Sequence, residues 1–360
     1  MIISGGGTGG HIYPAIAVAN EIKKRNIKND VLFVGAKGRM EMEKVPKAGY
    51  HVIGLWISGL QRASVIKNLL FPLKLIMSLI KSYFIMTKFK PDAVIGFGGY
   101  ASGPLVKVGS KRGTPAVIQE QNAFAGITNQ WLAKSVQKIC VAHDGMGNFF
   151  PEEKIVVTGN PVREDIINPS ITREEALKHF GLRTDKRTIL ILGGSLGART
   201  INEAIMNHIG SICARQIQLI WQTGKKYIHE VDRKIKGKYG TVYSSDFIYE
   251  MDYAYKAADV VISRAGALSI SELAVAGKAS IFVPSPNVTS DHQTKNAEAL
   301  VKQDAALMVK DGMAMETLIP LAMDLVKNDK KKVVLEKNIL KVGKPDAVRE
   351  ITDIVEELIF

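Results

Sequence analysis

Gly5-Gly6-Gly7-Thr8-Gly9-Gly10-His11 stands between a short apolar run, Met1 to Ser4, and a stretch of helical character, Tyr13 to Arg25. Gly98-Gly99-Tyr100-Ala101-Ser102-Gly103 and Gly193-Gly194-Ser195-Leu196-Gly197 are loops of the same kind, each placed where an apolar strand hands over to a helix. Glycine permits positive φ and lets a bulky anion approach the backbone, while the following helix offers unpaired N–H groups and the positive end of its dipole. Such loops bind phosphate. Three of them in a chain with a repeated strand-loop-helix pattern point to an enzyme that handles two diphosphate groups.

Strand-like runs at Val31 to Gly35, Ala93 to Gly96, Ala116 to Gln119 and Lys138 to Ala142 alternate with helical stretches such as Thr128 to Ala133, which implies a parallel sheet. The pattern restarts at Thr188: strand Ile189 to Leu192, glycine loop, helix Thr200 to Ile209, strands Gln218 to Gln222 and Val260 to Ser263, helix Ser269 to Ala276, strand Ser280 to Val283. The break at Gly159-Asn160-Pro161-Val162-Arg163 places the boundary, giving domains 1–160 and 161–340. A last amphipathic helix, Asp346 to Leu358, leaves 341–360 to pack on either domain, the first included. Ligands of open α/β sheets sit beyond the carboxyl ends of the strands, where all the glycine loops fall, so two such domains facing each other would form a cleft.

A chain of 360 residues suits two α/β domains. Its two cysteines, Cys140 and Cys213, have no metal or redox spacing and read as buried free thiols. The chain enters the first glycine loop almost at once, which leaves no room for a signal peptide, so a protein made and kept in the cytoplasm is expected. A net charge of +13 points to an anionic partner. There is no RNP-type aromatic motif, zinc-finger spacing or long arginine-rich arm, so nucleic acid is not that partner.

Gly5, Gly7 and Gly10 formally satisfy the dinucleotide fingerprint, but the acid that should end the second strand is missing: Val31-Leu32-Phe33-Val34 runs into Gly35-Ala36-Lys37. No Walker-type GxxxxGK[ST] occurs, no DxD, and no cluster with metal spacing. A departing diphosphate would then be stabilised by helix dipoles, loop N–H groups and Arg.

Ser269-Ile270-Ser271-Glu272, after Arg264-Ala265-Gly266-Ala267-Leu268, has capping-box spacing; Glu272 either caps a helix or accepts hydrogen bonds from a ribose diol, and both can hold. Asp291-His292-Gln293-Thr294 is an ordinary helix start or a loop presenting Gln293 to sugar hydroxyls. Gln119-Glu120-Gln121-Asn122 closes a strand and is either solvated or turned to a ligand. His11 sits at a helix N-terminus, which favours the neutral imidazole that a base needs, although a helix-start histidine without a catalytic role reads the same way.

From Val65 to Lys90 an apolar stretch is broken at Lys67, Lys74, Lys81 and Lys88, every seventh residue, which forms one basic stripe; Pro72 starts the helix that carries the last three. The lysines exclude a transmembrane span. Either an apolar face is buried and the lysine edge solvated, or the segment docks reversibly on an anionic membrane. At about 1 kcal/mol per Lys the stripe alone gives only millimolar attraction, so inserted Leu, Ile or Phe would be needed too.

Taken together, Gly5 to His11, Gly98 to Pro104, Glu120-Gln121-Asn122, Gly159 to Arg163, Gly193 to Arg199, Arg264 to Glu272 and Asp291 to Gln293, in that order, resemble glycosyltransferase family 28. The likeness is to the N-acetylglucosaminyltransferases that complete the lipid-linked disaccharide of peptidoglycan. It implies a GT-B fold of two Rossmann-like, doubly wound parallel-sheet domains facing a cleft, an inverting mechanism and no cofactor or essential metal. The donor it implies is UDP-GlcNAc; the acceptor is undecaprenyl-diphospho-N-acetylmuramoyl pentapeptide. It carries uracil onto the backbone near Ile248, ribose onto Glu272, and diphosphate onto Ser195, Arg163 and the loop Ala267, Leu268, Ser269, Ile270 and Ser271. GlcNAc falls to Asn122 and Gln293, and Thr8, Gly9 and Gly10 lie near the donor and the acceptor diphosphate. Gly7, Gly99, Tyr100 and Ser102 take the acceptor side. His11 is the first candidate base and Glu120 the second.

The resemblance also implies an enzyme on the cytoplasmic side of the inner membrane, held peripherally at its anionic surface through Lys74, Lys81 and Lys88, with other cell-wall synthesis proteins as conceivable partners. Three departures stand out. Gln119 replaces a frequent His, Thr294 a frequent Gln, and the first strand, Met1 to Ser4, is unusually short. The competing readings are another GT-B glycolipid synthase, moving galactose from its UDP donor to diacylglycerol, and a non-catalytic sugar-nucleotide or membrane-binding protein.

Overall fold

A computed structural model describes residues 1–59, 69–194, 196–235, 237–286 and 291–359. Ser195, Val65 and Lys67 lie outside the described residues. The chain forms two compact units, the first comprising Met1–Arg163 together with the chain from Lys344 onward, the second Glu164–Gly343.

Among the described residues the first unit carries a sheet in the order β3-β2-β1-β4-β5-β6-β7, all parallel. Its strands are β1 (Ile2–Ser4), β2 (Leu32–Ala36), β3 (His51–Leu55), β4 (Val94–Gly96), β5 (Ala116–Glu120), β6 (Lys138–Val141) and β7 (Ile155–Val157). The second unit repeats the plan as β10-β9-β8-β11-β12-β13. Here the strands are β8 (Thr188–Leu192), β9 (Gln218–Gln222), β10 (Val242–Ser245), β11 (Val260–Ser263), β12 (Ser280–Phe282) and β13 (Leu307–Met308). Strand order reverses at β1/β4 and again at β8/β11, and a crevice outside the carboxyl ends at such a point is where doubly wound sheets take ligands.

The central strands are buried on both faces, as helix-covered parallel sheets require, which is why they read as unbroken apolar runs. Ile3, Phe33, Ile95 and Val117 pack on one side of the first sheet against Ile12, Val18 and Ile22 of the helix Gly9–Arg25. The helix Ala347–Glu357 joins this side: Ile351 and Val355 enter the same core, and Arg25 pairs with Asp353 at 2.6 Å and Glu356 at 2.7 Å. Chain that follows the second unit therefore completes the first.

Candidate active site

The first glycine loop opens at Gly5 and passes into the helix Gly9–Arg25 with Thr8, in extended conformation, as its N-cap. The N–H groups of Gly9 and Gly10 head that helix, where no intrahelical acceptor exists. The Gly7 N–H donates to Glu41 Oε2 at 2.9 Å, so that N–H is already engaged. Glu41, which the motif reading missed, is buried and takes the Ala36 N–H on Oε1 at 2.9 Å. Its carboxylate fills the space left by the missing side chain of Gly6.

The second glycine loop lies directly on the first. Gly99 has φ +83, and a Cβ there would collide with the carbonyl oxygen of Gly6. Tyr100 is half-exposed, its ring covering Gly59 and reaching toward Gly7. Ser102, expected to meet the acceptor, is fully buried, and its hydroxyl donates to the Gly99 carbonyl at 2.9 Å. It closes the loop from within.

His11 Nδ1 lies 2.8 Å from the carbonyl oxygen of Gly6, with Thr8 Oγ1 at 3.3 Å. A carbonyl only accepts, so neutral His11 carries its proton on Nδ1 and presents the lone pair of Nε2. That nitrogen borders Gly98, at 3.2 Å from where a Cβ of Gly98 would stand. Glu120, the second candidate base, is buried and fully engaged. Oε1 accepts from the Asn122 N–H (3.1 Å) and side-chain amide (3.2 Å), and Oε2 from the Gly126 N–H and Asn129 Nδ2, both at 2.9 Å. Such a carboxylate shapes the loop after β5; it has little capacity left to take a proton from a substrate. Beneath it Asn160, Gln119 and Gln121 form a buried amide chain ending on the Phe97 carbonyl.

In the second unit the helix Ala267–Val275 is capped by Gly266 in extended conformation, with no side-chain cap. Ser269 is therefore inside the first turn, and the expected capping box does not form. The N–H groups of Ala267, Leu268 and Ser269 open the helix; that of Ile270 closes its first turn on the Gly266 carbonyl at 3.0 Å, and the Ser271 hydroxyl turns back to Ala267 O at 3.0 Å. Glu272 Oε2 receives the Tyr255 hydroxyl at 2.8 Å. The N–H of Ile248 is already given to Gln222 Oε1 at 3.0 Å, so recognition by that N–H, one way to read the backbone expectation, is closed. Gln293 Oε1 accepts from the Ser285 N–H at 2.9 Å. Arg163 stands at the end of the first unit.

The helix Phe71–Phe89 sets the lysines beside an exposed apolar face. Ser78, Ser82, Ile85 and Met86 form its buried side, while Leu73, Ile76, Met77, Ile80, Tyr83 and Phe84 are exposed. Lys74 and Lys81 lie along the flank, donating to Ser58 Oγ at 3.0 Å and to the Gly54 carbonyl at 2.8 Å; Lys88 is exposed. Seven residues per two turns align Lys74 and Lys81 on the edge beside β3, with the apolar stripe outward.

Two Rossmann-like units, each with a helix start at the reversal of its strand order, define the GT-B class of nucleotide-sugar enzymes. Residues 1–141 match the glycosyltransferase family 28 N-terminal domain and residues 188–351 the glycosyltransferase family 28 C-terminal domain, and the chain belongs to that family. It is 51% identical over 360 residues to the UDP-N-acetylglucosamine–N-acetylmuramyl-(pentapeptide) pyrophosphoryl-undecaprenol N-acetylglucosamine transferase of Parabacteroides distasonis, covering all of this chain and 98% of that protein. The protein of the same name from Christiangramia forsetii is 51% identical over 359 residues, covering 100% and 97%. Among solved structures, MurG of Acinetobacter baumannii superimposes with a TM-score of 0.74 at 29% identity over 99% of each chain.

Proposed function

We propose that this protein is the inverting transferase that moves GlcNAc from UDP-GlcNAc to the 4-hydroxyl of MurNAc in undecaprenyl-diphospho-MurNAc-pentapeptide, a step of peptidoglycan synthesis. The observation that carries the reading is the match, end to end, to relatives bearing that name, in a chain that opens helices at Gly9 and Ala267 and holds His11 against the first glycine loop. The same match weighs against a galactose-transferring glycolipid synthase.

In this reading the second unit holds the donor. The N–H groups of Ala267, Leu268 and Ser269 and the dipole behind them meet the diphosphate, Glu272 the ribose diol and Gln293 the sugar. Ser195 and Arg163 add to the diphosphate site, and Asn122, anchored on Glu120, meets GlcNAc. The first unit holds the acceptor, with its diphosphate near Thr8, Gly9 and Gly10 and its saccharide by Tyr100. The Glu41 carboxylate repels an anion from Gly7 and so directs it to the helix start.

The MurNAc oxygen attacks the anomeric carbon from the face opposite UDP; that C–O bond forms as the bond to the β-phosphate oxygen breaks. The hydroxyl proton passes to His11 Nε2, and UDP leaves with the bonding electron pair. A positioned base contributes typically about 10²- to 10⁴-fold. The reaction takes place at the cytoplasmic face of the inner membrane, where the enzyme docks through the apolar stripe on Phe71–Phe89. No helix among the described residues is long and apolar enough to cross a membrane.

Transfer of labelled GlcNAc to a shortened-chain lipid acceptor tests this directly. Wild type should turn over and His11→Ala should lose at least about 10²-fold in kcat; full activity of that variant would dismiss His11 as base. Inertness of the wild type toward this pair of substrates would dismiss the function.

A further inference from the structure

Of the loops that leave the carboxyl end of the second sheet, those after β8, β11, β12 and β13 are joined through one carboxylate. Asp311 lies just beyond β13, opening the short turn Asp311–Met313. Its Oδ2 accepts from the Thr200 hydroxyl at 2.9 Å, on the helix Arg199–Ala214 that leaves the third glycine loop. Its Oδ1 pairs with Arg264 Nη1. Arg264 follows β11 and stands two places before Gly266, the cap of the helix Ala267–Val275. The same Nη1 donates to the carbonyls of Val283 (3.0 Å) and Pro284 (3.2 Å), at the exit of β12. The next residue, Ser285, is held by Gln293.

We infer that Asp311 is a positioning residue for the donor diphosphate, setting the glycine loop after β8 and the helix start after β11 in mutual register through Thr200 and Arg264. The inference rests on the reading of this unit as the donor site. Its physical basis is that a helix start stabilises an anion only at hydrogen-bond distance, so two loops that grip one diphosphate must be fixed relative to each other. A carboxylate close to an anion site would ordinarily oppose binding. Here Arg264 neutralises it, with both side chains about four-fifths buried, so the clamp acts without adding net negative charge. Nothing in the central β-strands depends on it, because their ladders and core are complete without Asp311.

The test is steady-state kinetics of the full chain, varying UDP-GlcNAc and the lipid acceptor separately. Asp311→Ala should raise donor KM tenfold or more with acceptor KM within twofold. Thr200→Val, which keeps shape and leaves the ion pair intact, should raise donor KM about threefold, and Thr200→Ser should restore it. The Thr200 variants decide the matter should Asp311→Ala fail to fold. Wild-type donor KM in Thr200→Val, or equal shifts in both KM values, would overturn the inference while wild-type turnover leaves the functional reading standing. A wild type that does not use UDP-GlcNAc overturns both.

Discussion

Glu41 Oε2 accepts the Gly7 N–H at 2.9 Å, although the two residues are 34 apart in sequence. The first glycine loop is thus partly filled from within by a carboxylate that also holds the Ala36 N–H. Each buried N–H left without a partner costs roughly 1–3 kcal/mol. Glu41→Ala should therefore lower the unfolding free energy by about 2–6 kcal/mol in urea titration, and reduce turnover because the glycine loop that leads into the helix of His11 loses its support. Glu41→Gln, which turns an NH₂ group toward one of two donors, should fall between. Wild-type stability in both variants would show that the loop is held by other contacts.

The hydroxyl of Tyr255 reaches Glu272 Oε2 at 2.8 Å, fixing the carboxylate proposed to receive the ribose diol. Tyr255→Phe should raise donor KM several-fold at nearly unchanged kcat, since the ribose is held alike in ground and transition states. Glu272→Gln should raise it further. A Tyr255→Phe variant that loses kcat instead would place this pair closer to the chemistry than the proposal does.

The glycine loops and central strands were legible because positive φ, close backbone approach and two-sided burial each leave a mark on local sequence. The edge strands β3, β7, β10 and β13 left weaker marks: they are wholly or partly solvated and their apolar runs are short or interrupted, as in Ile155–Val157 and Leu307–Met308. Glu41 and Asp311 were out of reach for another reason. Each acts on loops tens of residues away, and in sequence Glu41 is only an acid at a helix start, Asp311 only an acid in a turn. That the Ser102 hydroxyl and the Ile270 N–H are engaged within their own loops was equally out of reach, because motif position says which loop a residue belongs to, not whether its polar atoms turn inward. The same applies to the lysines, whose seven-residue period fixed one helical edge but not which edge faces outward.

Burial pushes the Lys278 ammonium down to about 8, with Glu336 and Asp259 opposing the shift and Arg173 adding to it; its Nζ donates to the Ala258 carbonyl at 3.1 Å. A lysine lowered in the folded state takes up a proton on unfolding between about pH 8 and its ordinary 10.5. Stability from this group therefore rises with pH through that window and is least below pH 8. Urea titrations at intervals across the window should show the rise in wild type and a flatter profile in Lys278→Met. An identical slope in both proteins would assign the pH dependence elsewhere.

On the helix Phe71–Phe89 the residues facing solvent are Leu73, Ile76, Met77, Ile80, Tyr83 and Phe84, each roughly half-exposed or more, at the three- and four-residue spacing of a single stripe. Burying what each still exposes is worth roughly 1 kcal/mol, so the stripe outweighs any one lysine near an anionic surface at about 1 kcal/mol. Lys74 and Lys81 contribute less than their charge suggests, since both already donate to the chain beside them. The triple variant Ile76→Asp, Ile80→Asp, Phe84→Asp should be released from phosphatidylglycerol-containing vesicles in a sedimentation assay while keeping turnover of a shortened-chain, water-soluble acceptor. Lys88→Gln alone should weaken retention only about fivefold, the equivalent of about 1 kcal/mol. Full vesicle retention by the triple variant would mean that the stripe is not what meets the membrane, and loss of soluble-acceptor turnover would mean that it serves the site instead.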